Sequence, residues 1–264
     1  MSKQIQVVQY DPNWPIIFQT LKQYIASALG ENLLEIHHIG STSVPGLAAK
    51  PKIDILAVVR NPSLAINQLE TIGLQHKGEY NIPLHYGFSK RAEVNINLHM
   101  YEANHAEIEL NLMFRDYLRQ HLEAREAYAQ LKTELLEDTS SMQKENSCFS
   151  NYTLRKGDFI RSILKAAGFN QIRILKCNDK TEWQAAKLLR QKYFLTHGKI
   201  DDLANLFNDA NNTHLVLYQG CDIIGYAHIE FSTNIKHIIV ESSDGPKEQF
   251  LQLIHKWLER VNMH

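Results

Sequence analysis

Hydrophobic positions in the first two thirds of the chain follow two repeats, which predict strands interleaved with helices. Short apolar runs and strict apolar–polar alternation are typical of buried and half-buried strands. They predict strands at 34–39, 53–59 and 94–101, with a strand or hairpin region at 75–89. Apolar residues that return every three or four positions predict helices at 17–29, 64–72, 114–136 and 152–167.

The pattern changes after Gly168, where a second series of elements begins. Strands are predicted at 172–176, 214–218, 223–231 and 235–240, and helices at 181–194, at 201–208 and from Pro246 onward. We therefore predict two domains, 1–168 and 172–264, joined by a short segment without a Gly/Ser-rich or Pro-rich tract. The predicted fold class is α+β, with mixed sheets and helices in both domains.

The composition is that of a globular protein and excludes several classes. Of the 264 residues, 44% are hydrophobic and 22% are charged, so the chain can bury a core. The net charge of −1 is unlike the strongly basic balance of many nucleic-acid-binding proteins. Three separated cysteines do not suggest a disulfide framework, and no apolar run is long enough to span a bilayer. Without a signal-peptide pattern at the N-terminus, the expected location is the cytoplasm.

The loop after the strand at 34–39 has the composition of a phosphate-binding turn. It contains Gly40, Ser41, Thr42 and Ser43. Glycine allows a ligand to approach the backbone closely, and hydroxyl and N–H groups can donate to phosphate oxygens. Lys50 adds a cation, and Asp54 on the following strand can hold Mg²⁺ together with a phosphate. The alternative is a tight turn that packs on its own strands, with Asp54 capping it locally.

The segment 38–55, HIGSTSVPGLAAKPKIDI, resembles the GrpB-like family. The resemblance extends to residues 10–15 and 114–119 and to the helix containing Tyr152 and Lys156, so it covers roughly 5–168. It implies a nucleotidyltransferase-type fold, with a mixed sheet and helices. In that superfamily a Gly-Ser turn precedes two carboxylates that flank one residue, and a later strand supplies a third. These carboxylates hold two metal ions that align a nucleoside triphosphate with an attacking group.

The sequence departs from this pattern at the carboxylates. Asp54 is present, but position 56 is Leu and position 52 is Lys. The polar face of the strand at 94–101 offers Asn95, Asn97 and His99, and the nearest acid is Glu93 at the edge of the strand. Three interpretations remain open: a nucleotide is bound without turnover, one Mg²⁺ is held by Asp54 and substrate phosphates, or His99 or His38 acts as a general base.

Other basic residues admit two interpretations each. Lys90, after an aromatic segment, contacts a phosphate or lies at a solvated strand end. Arg115 and Arg119 share a helix face, where salt bridges to acidic neighbours are the slightly better explanation.

The hairpin at 214–231 looks like the central hairpin of a GNAT acetyltransferase. The corresponding pyrophosphate-binding segment, 241–249, has one glycine and several acids, and the chain ends after the next helix. We therefore interpret 172–264 as a truncated GNAT-like domain without acetyltransferase activity. Such a half-sheet is expected to leave an edge and an apolar face uncovered, which suggests a homodimer.

The predicted function is binding of a nucleotide or another phosphorylated small molecule, at Gly40 to Ser43 with Lys50, Lys90 and Asp54. Transfer of a nucleotidyl group, with Asp54 and His99 as catalytic residues and Mg²⁺ as cofactor, is the enzymatic form of this hypothesis. The first alternative is a non-catalytic binding or regulatory module with a degenerate site. The second is acyl-CoA-dependent N-acetyl transfer by the C-terminal domain.

Overall fold

The computed structural model describes residues 6–143, 149–196, 212–230, 235–240 and 244–261. The chain forms two compact units. The N-terminal unit comprises 1–80, 84–143 and 149–169, and the C-terminal unit comprises 81–83, 144–148 and 170–264. Both combine a sheet with helices, so the predicted α+β class is confirmed.

The N-terminal unit is built on a mixed five-stranded sheet. Its strands are β1 (Leu33–Ile39), β2 (Lys52–Val59), β3 (Gln75–Gly78), β4 (Tyr86–Lys90) and β5 (Asn95–Glu102). They lie in the order β1-β2-β5-β4-β3, and β2 and β5 are parallel while the other neighbours are antiparallel. The pairing places Asp54 beside Ile39 on one side and Asn97 on the other.

Six helices accompany this sheet. They are α1 (Trp14–Leu29), α2 (Pro62–Thr71), α3 (Ala106–Gln120), α4 (Leu122–Glu137), α5 (Asn151–Leu154) and α6 (Gly157–Ala166). Single 3₁₀ turns occur at Gly30–Asn32, Ser41–Ser43 and Thr139–Met142. Helices α1 and α2 contribute Phe18 and Leu69 to the main hydrophobic core, where they meet Ile53 and Ile55 of β2.

Two predicted helices are each divided in the structure. The helix predicted at 114–136 is α3 followed by α4, because His121 has an extended backbone with φ −116° and ψ 101°. The helix predicted at 152–167 is α5 followed by α6, with Lys156 at the junction. Neither division coincides with a proline, and apolar periodicity alone does not detect the extended residue at His121. At the α5–α6 junction, Arg155 and Lys156 keep helical backbone angles.

The C-terminal unit contains an antiparallel four-stranded sheet and two described helices. Its strands, in spatial order, are β6 (Ile172–Lys176), β7 (Asn212–Gln219), β8 (Asp222–Glu230) and β9 (Ile235–Val240). Its helices are α7 (Lys180–Thr196) and α8 (Asp244–Val261). The helix predicted at 201–208 and the first residues of the segment 241–249 lie outside the described residues.

An uncovered apolar face was expected for this sheet and is not observed at its central strand β7. Leu215, Val216 and Leu217 are consecutive, so they point to alternate faces, and all three are 0% exposed. The homodimer stays a prediction. Across the described residues, no helix is both long and apolar enough to cross a membrane.

Candidate functional site

The loop between β1 and β2 lies directly against the Asp54 carboxylate. Gly40 has φ +69° and ψ −176°, a backbone region that is almost restricted to glycine. A Cβ atom at Gly40 would lie 2.7 Å from Oδ2 of Asp54. Glycine is therefore required here both by the backbone conformation and by the closeness of the carboxylate.

Two of the three loop hydroxyls donate to backbone carbonyls, one in the loop and one at the start of β2. Ser43 Oγ donates to the carbonyl of Gly40 at 2.6 Å, and Thr42 Oγ1 donates to the carbonyl of Lys52 at 3.1 Å. Both side chains are buried. The Ser41 hydroxyl instead accepts a hydrogen bond from Lys132 Nζ at 3.3 Å. Thr42 and Ser43 thus fix the shape of the loop, whereas Ser41 faces a cation.

The Asp54 carboxylate is held by neighbours on both sides. Its Oδ1 accepts a hydrogen bond from Asn97 Nδ2 at 3.0 Å and forms an ion pair with Lys52 Nζ at 3.2 Å. Arg91 in turn donates to Asn97 Oδ1 at 2.8 Å. Because the guanidinium can only donate, it fixes the amide orientation in which Asn97 Nδ2 points to Asp54.

Four lysines form what we call the lysine cluster: Lys50, Lys52, Lys132 and Lys156. The Nζ atoms of Lys50 and Lys156 lie 4.0 and 4.6 Å from the ring centroid of Tyr152, within the range of cation–π contacts. Lys132 is 3% exposed and also donates to the carbonyl of Ala48. Within the described residues, Lys52 is the member of the cluster that forms an ion pair with a carboxylate, and its partner is Asp54.

The cluster is electrostatically unfavourable in the absence of an anion. Burial, and then the charges of Lys156 and Lys50, lower the pKa of Lys132 to about 7. Burial and neighbouring lysines lower the pKa of Lys156 to about 8 and that of Lys50 to about 8, although Asp54 opposes both shifts. Desolvation and like charge both disfavour the ammonium form, and a bound anion would reverse the second effect.

A pair of histidines lies on the same face of the sheet as Asp54. Nδ1 of His85 lies 3.2 Å from the carbonyl of Glu79, and Nε2 of His85 lies 3.1 Å from Nδ1 of His99. Since a carbonyl only accepts, Nδ1 of a neutral His85 carries the proton, and its Nε2 accepts from Nδ1 of His99. Burial lowers the pKa of His85 to about 3 and also lowers the pKa of His99.

This chain of hydrogen bonds leaves Nε2 of His99 as a lone-pair acceptor at neutral pH. Within the described residues, that atom has no hydrogen-bond partner, and the His99 side chain is partly exposed. Asp54 acts electrostatically on His99 in the direction that raises its pKa, although burial outweighs it. The geometry thus presents a proton acceptor next to the carboxylate.

His38, the other predicted base, has a structural role. Its ring stacks on Phe18 at 4.8 Å, and its Nε2 lies 3.0 Å from Thr42 Oγ1. It is buried on the opposite face of β1 from Ile39, the partner of Asp54. Burial lowers the pKa of His38 to about 4, so its ring is neutral at pH 7.

Two arginines of α3 anchor the loop from outside. Arg115 donates to the carbonyl of His38 at 3.2 Å, and Arg119 donates twice to the carbonyl of Ser43, at 2.8 and 3.1 Å. Both also pair with Asp116, whose pKa is lowered chiefly by its hydrogen bond to Arg115. These arginines therefore position the loop as well as forming the salt bridges favoured from the sequence.

Lys90 is not part of this site. Its Nζ donates to the carbonyl of Ile72 at 3.1 Å and lies 5.6 Å from the ring of Tyr24. Its neighbour Ser89 is the residue paired with Asn97, so Lys90 points to the opposite face of the sheet from Asp54. The face that Lys90 occupies depends on where β4 begins and how it pairs with β5. The sequence alone fixed neither.

The residues around Asp54 do not fit a pair of protein-held metal ions. Mg²⁺ prefers oxygen ligands, especially carboxylates. In the part of the chain that the structure describes, no three His, Cys, Asp or Glu side chains are grouped to hold a metal ion. Oδ1 of Asp54 already receives the Asn97 amide and the Lys52 ammonium, both of which oppose a cation at that atom.

Sequence reasoning identified Lys50 but missed Lys132 and Lys156. Lys132 belongs to the middle of α4 and Lys156 to the junction of α5 and α6, both remote in sequence from the loop. The available signals were weak: Tyr128 and Lys132 are four residues apart on one helix face, and Tyr152 and Lys156 repeat that spacing. Such spacing is common on ordinary surface helices.

Comparison with known proteins identifies relatives of the N-terminal unit. The sequence profile described as "GrpB protein" matches residues 4–166. The UPF0157 protein BH1888 of Halalkalibacterium halodurans is 35% identical over 166 residues, covering 62% of this chain and 82% of that protein. The UPF0157 protein YqkA of Bacillus subtilis is 37% identical over 138 residues, covering 51% of this chain and 40% of that protein.

One solved structure agrees with this family relationship. The crystal structure of the conserved protein GrpB from Enterococcus faecalis has a TM-score of 0.54 and 34% identity, covering 61% of this chain and 96% of that one. A structure of the Cid1 poly(U) polymerase covers 60% of this chain at 14% identity, with a TM-score of 0.41, which is too low to transfer an activity.

Proposed function

The chain belongs to the GrpB family, and from that premise we propose that its N-terminal unit binds a nucleotide or another phosphorylated small molecule. The proposed ligand lies between the loop at Ser41 and the lysine cluster, next to Asp54. The family relationship supports the fold, and the chemistry of the site supports the class of ligand.

The observation that carries this proposal is the convergence of four ammonium groups on one hydroxyl-bearing loop. Three of them, on Lys50, Lys132 and Lys156, have pKa values lowered by burial and like charge. Placing such groups together is unfavourable for folding unless a ligand uses them. A phosphate is the common small-molecule group that matches several ammonium donors at once.

A thermal-shift screen of the full chain tests the proposal. The ligands are ATP, GTP, CTP and UTP, each with Mg²⁺ and with EDTA, together with acetyl-CoA. A ligand at a hundredfold its dissociation constant stabilises the folded state by about 2.7 kcal/mol, which corresponds to a shift of a few degrees. We expect at least one nucleotide to give such a shift.

Variants locate the ligand. Ser41→Ala and Asp54→Asn change the loop hydroxyl and the carboxylate, whereas Lys90→Gln changes a lysine on the opposite face of the sheet. The shift should decrease in Ser41→Ala, change in Asp54→Asn because the ligand lies next to that carboxylate, and stay the same in Lys90→Gln. No shift with any nucleotide would refute nucleotide binding, and an acetyl-CoA shift that survives in Ser41→Ala would favour the acyl-CoA alternative.

Transfer of a nucleotidyl group is the second candidate function, and the bare Nε2 of His99 favours it. In this reaction His99 accepts the proton of an acceptor hydroxyl, whose oxygen bonds to the α-phosphorus. The α–β phosphoanhydride bond breaks, and pyrophosphate leaves with the electron pair. An imidazole that is neutral at pH 7 has the protonation state that a general base needs.

Water can serve as the acceptor in a first assay of this candidate. Slow formation of nucleoside monophosphate and pyrophosphate by the wild type, lost in His99→Gln while ligand binding persists, would support transfer. Binding without any such turnover would favour the non-catalytic module.

A further inference from the structure

We propose that the lysine cluster takes the place of metal ions in this site, so that a diphosphate or triphosphate group binds without Mg²⁺. This inference rests on the proposed function and deepens it by specifying the ligand as a polyphosphate. It starts from the disagreement between the carboxylate pattern that the family resemblance implies and the residues that surround Asp54.

The cluster provides two separate places for phosphate oxygens. In the first, Lys132 Nζ and the Ser41 hydroxyl lie 3.3 Å apart, at the edge of the loop. In the second, Lys50 and Lys156 share the ring of Tyr152, at 4.0 and 4.6 Å from its centroid. A ligand with two or more phosphates can use both places, whereas orthophosphate can use one at a time.

The charges favour an anion that brings no cation with it. Lys52 is paired with Asp54 at 3.2 Å, which leaves the ammonium groups of Lys50, Lys132 and Lys156 without a carboxylate partner among the described residues. A Mg²⁺ ion bound to the polyphosphate would reduce the negative charge that these groups attract. It would also lie next to the same ammonium groups and be repelled by them.

The burial of Lys132 is the feature least explained by a structural role. An ammonium that is 3% exposed has lost most of its hydration, and the two oxygens to which it donates, a carbonyl and a hydroxyl, are neutral. A methionine of similar length would fill the same space without the desolvation penalty. The retained charge is therefore understandable if it contacts an anion.

Isothermal titration of the full chain with inorganic orthophosphate, pyrophosphate and tripolyphosphate tests this inference. Each titration is done once in EDTA and once in excess Mg²⁺. We expect pyrophosphate and tripolyphosphate to bind in EDTA at least as tightly as in Mg²⁺. Orthophosphate, which can use one place at a time, should bind more weakly than either.

Variants connect the binding to the cluster. A hydrogen bond to a charged group contributes about 1.5–3 kcal/mol. Lys132→Met and Lys156→Met should therefore each lower the affinity for tripolyphosphate by about 10- to 100-fold. Lys77→Met, which changes an exposed lysine bonded to Gln75, is the matched control and should bind like the wild type. Two separate cluster variants keep the test valid if one of them fails to fold.

Each remaining outcome has a defined meaning. Binding that requires Mg²⁺ would overturn the metal-free inference and leave the proposed function standing. Binding in EDTA that neither cluster variant weakens would also overturn it, because the anion would then lie elsewhere. No binding of any polyphosphate or nucleotide, with or without Mg²⁺, would refute the proposed function as well.

Discussion

The two faces of the N-terminal sheet differ in what they do for the protein. On one face, Ile53 and Ile55 of β2 are at most 1% exposed and pack in the main core. On the other face, Asp54 contacts Asn97 and Lys52, and Lys52 belongs to the lysine cluster. The first face removes apolar surface from water, which stabilises the fold. The second face brings like charges together, and this does not stabilise the fold.

This contrast shows where function is to be sought in a small domain. Residues that stabilise the fold need no ligand to explain them, whereas grouped ammonium ions with lowered pKa values do. Substitutions on the two faces should therefore differ in their effects on stability and on ligand binding.

Ile55→Ala should affect stability strongly and ligand binding little. Ile55 is 0% exposed, and truncation of a fully buried isoleucine destabilises by about 2–5 kcal/mol. Urea unfolding of the full chain measures the loss, and titration with tripolyphosphate well below the unfolding midpoint measures the affinity. A destabilisation much smaller than this range, or an affinity loss comparable to that of Lys132→Met, would contradict the separate roles of the two faces in stability and in binding.

Gly40→Ala should affect both stability and binding. A non-glycine residue in this backbone region costs about 1–3 kcal/mol, and the new methyl group would push against Oδ2 of Asp54. Gly30→Ala is the matched control, since Gly30 also has positive φ, at +54°, but a methyl group added there would meet nothing within 4 Å. Equal effects of the two substitutions on tripolyphosphate affinity would contradict contact between the loop and the carboxylate.

Raising the pH should change stability and affinity in opposite directions. Burial, and then the charges of Lys156 and Lys50, lower the pKa of Lys132 to about 7 in the folded chain, from about 10.4 when unfolded; Tyr128 and Ser41 also face its ammonium group. Below pH 7 the lysine is charged in both states, and its desolvation penalty is fully present. Between about pH 7 and 10 the folded state loses the proton first, so the free energy of unfolding rises with pH.

Tripolyphosphate affinity should fall over the same range, because the ammonium that attracts it disappears. Unfolding midpoints and titrations at pH 7, 8 and 9 measure both trends. In Lys132→Met both slopes should be smaller than in the wild type. Identical slopes in the two proteins would show that Lys132 does not titrate in this range.

His85→Leu removes the two hydrogen bonds of the His85 ring, each of which contributes about 1 kcal/mol to stability, and should have a specific effect on His99. Without the Nε2 acceptor of His85, the Nδ1–H tautomer of His99 is no longer fixed. Nitrogen-15 NMR spectra of the histidine rings distinguish the tautomers. His37→Leu is the control, since His37 pairs with Glu35 at 2.8 Å and not with His99. An unchanged His99 signal in His85→Leu would contradict the hydrogen-bond chain.

The strands were predictable from the sequence, and the site was predictable in part. Apolar runs placed β1, β2 and β5 to within one residue at each end, because buried strands demand apolar residues at defined spacing. Gly40, Ser41, Lys50 and Asp54 were found together because they are close in sequence. Lys90 was included among the candidate phosphate contacts, and it lies on the opposite face of β4 from Asp54, because position along the chain does not fix the register of that strand.

Local spacing along the chain was enough to predict the strands, the family and the glycine–hydroxyl loop, because it encodes periodicity, turns and short motifs. Which charges meet depends on the tertiary structure. The extended residue His121 divides α3 from α4, and the junction at Lys156 divides α5 from α6. Lys132 thereby reaches Ser41, which lies 91 positions earlier in the chain. Coulombic energy depends on distance in space, which folding sets and sequence separation does not.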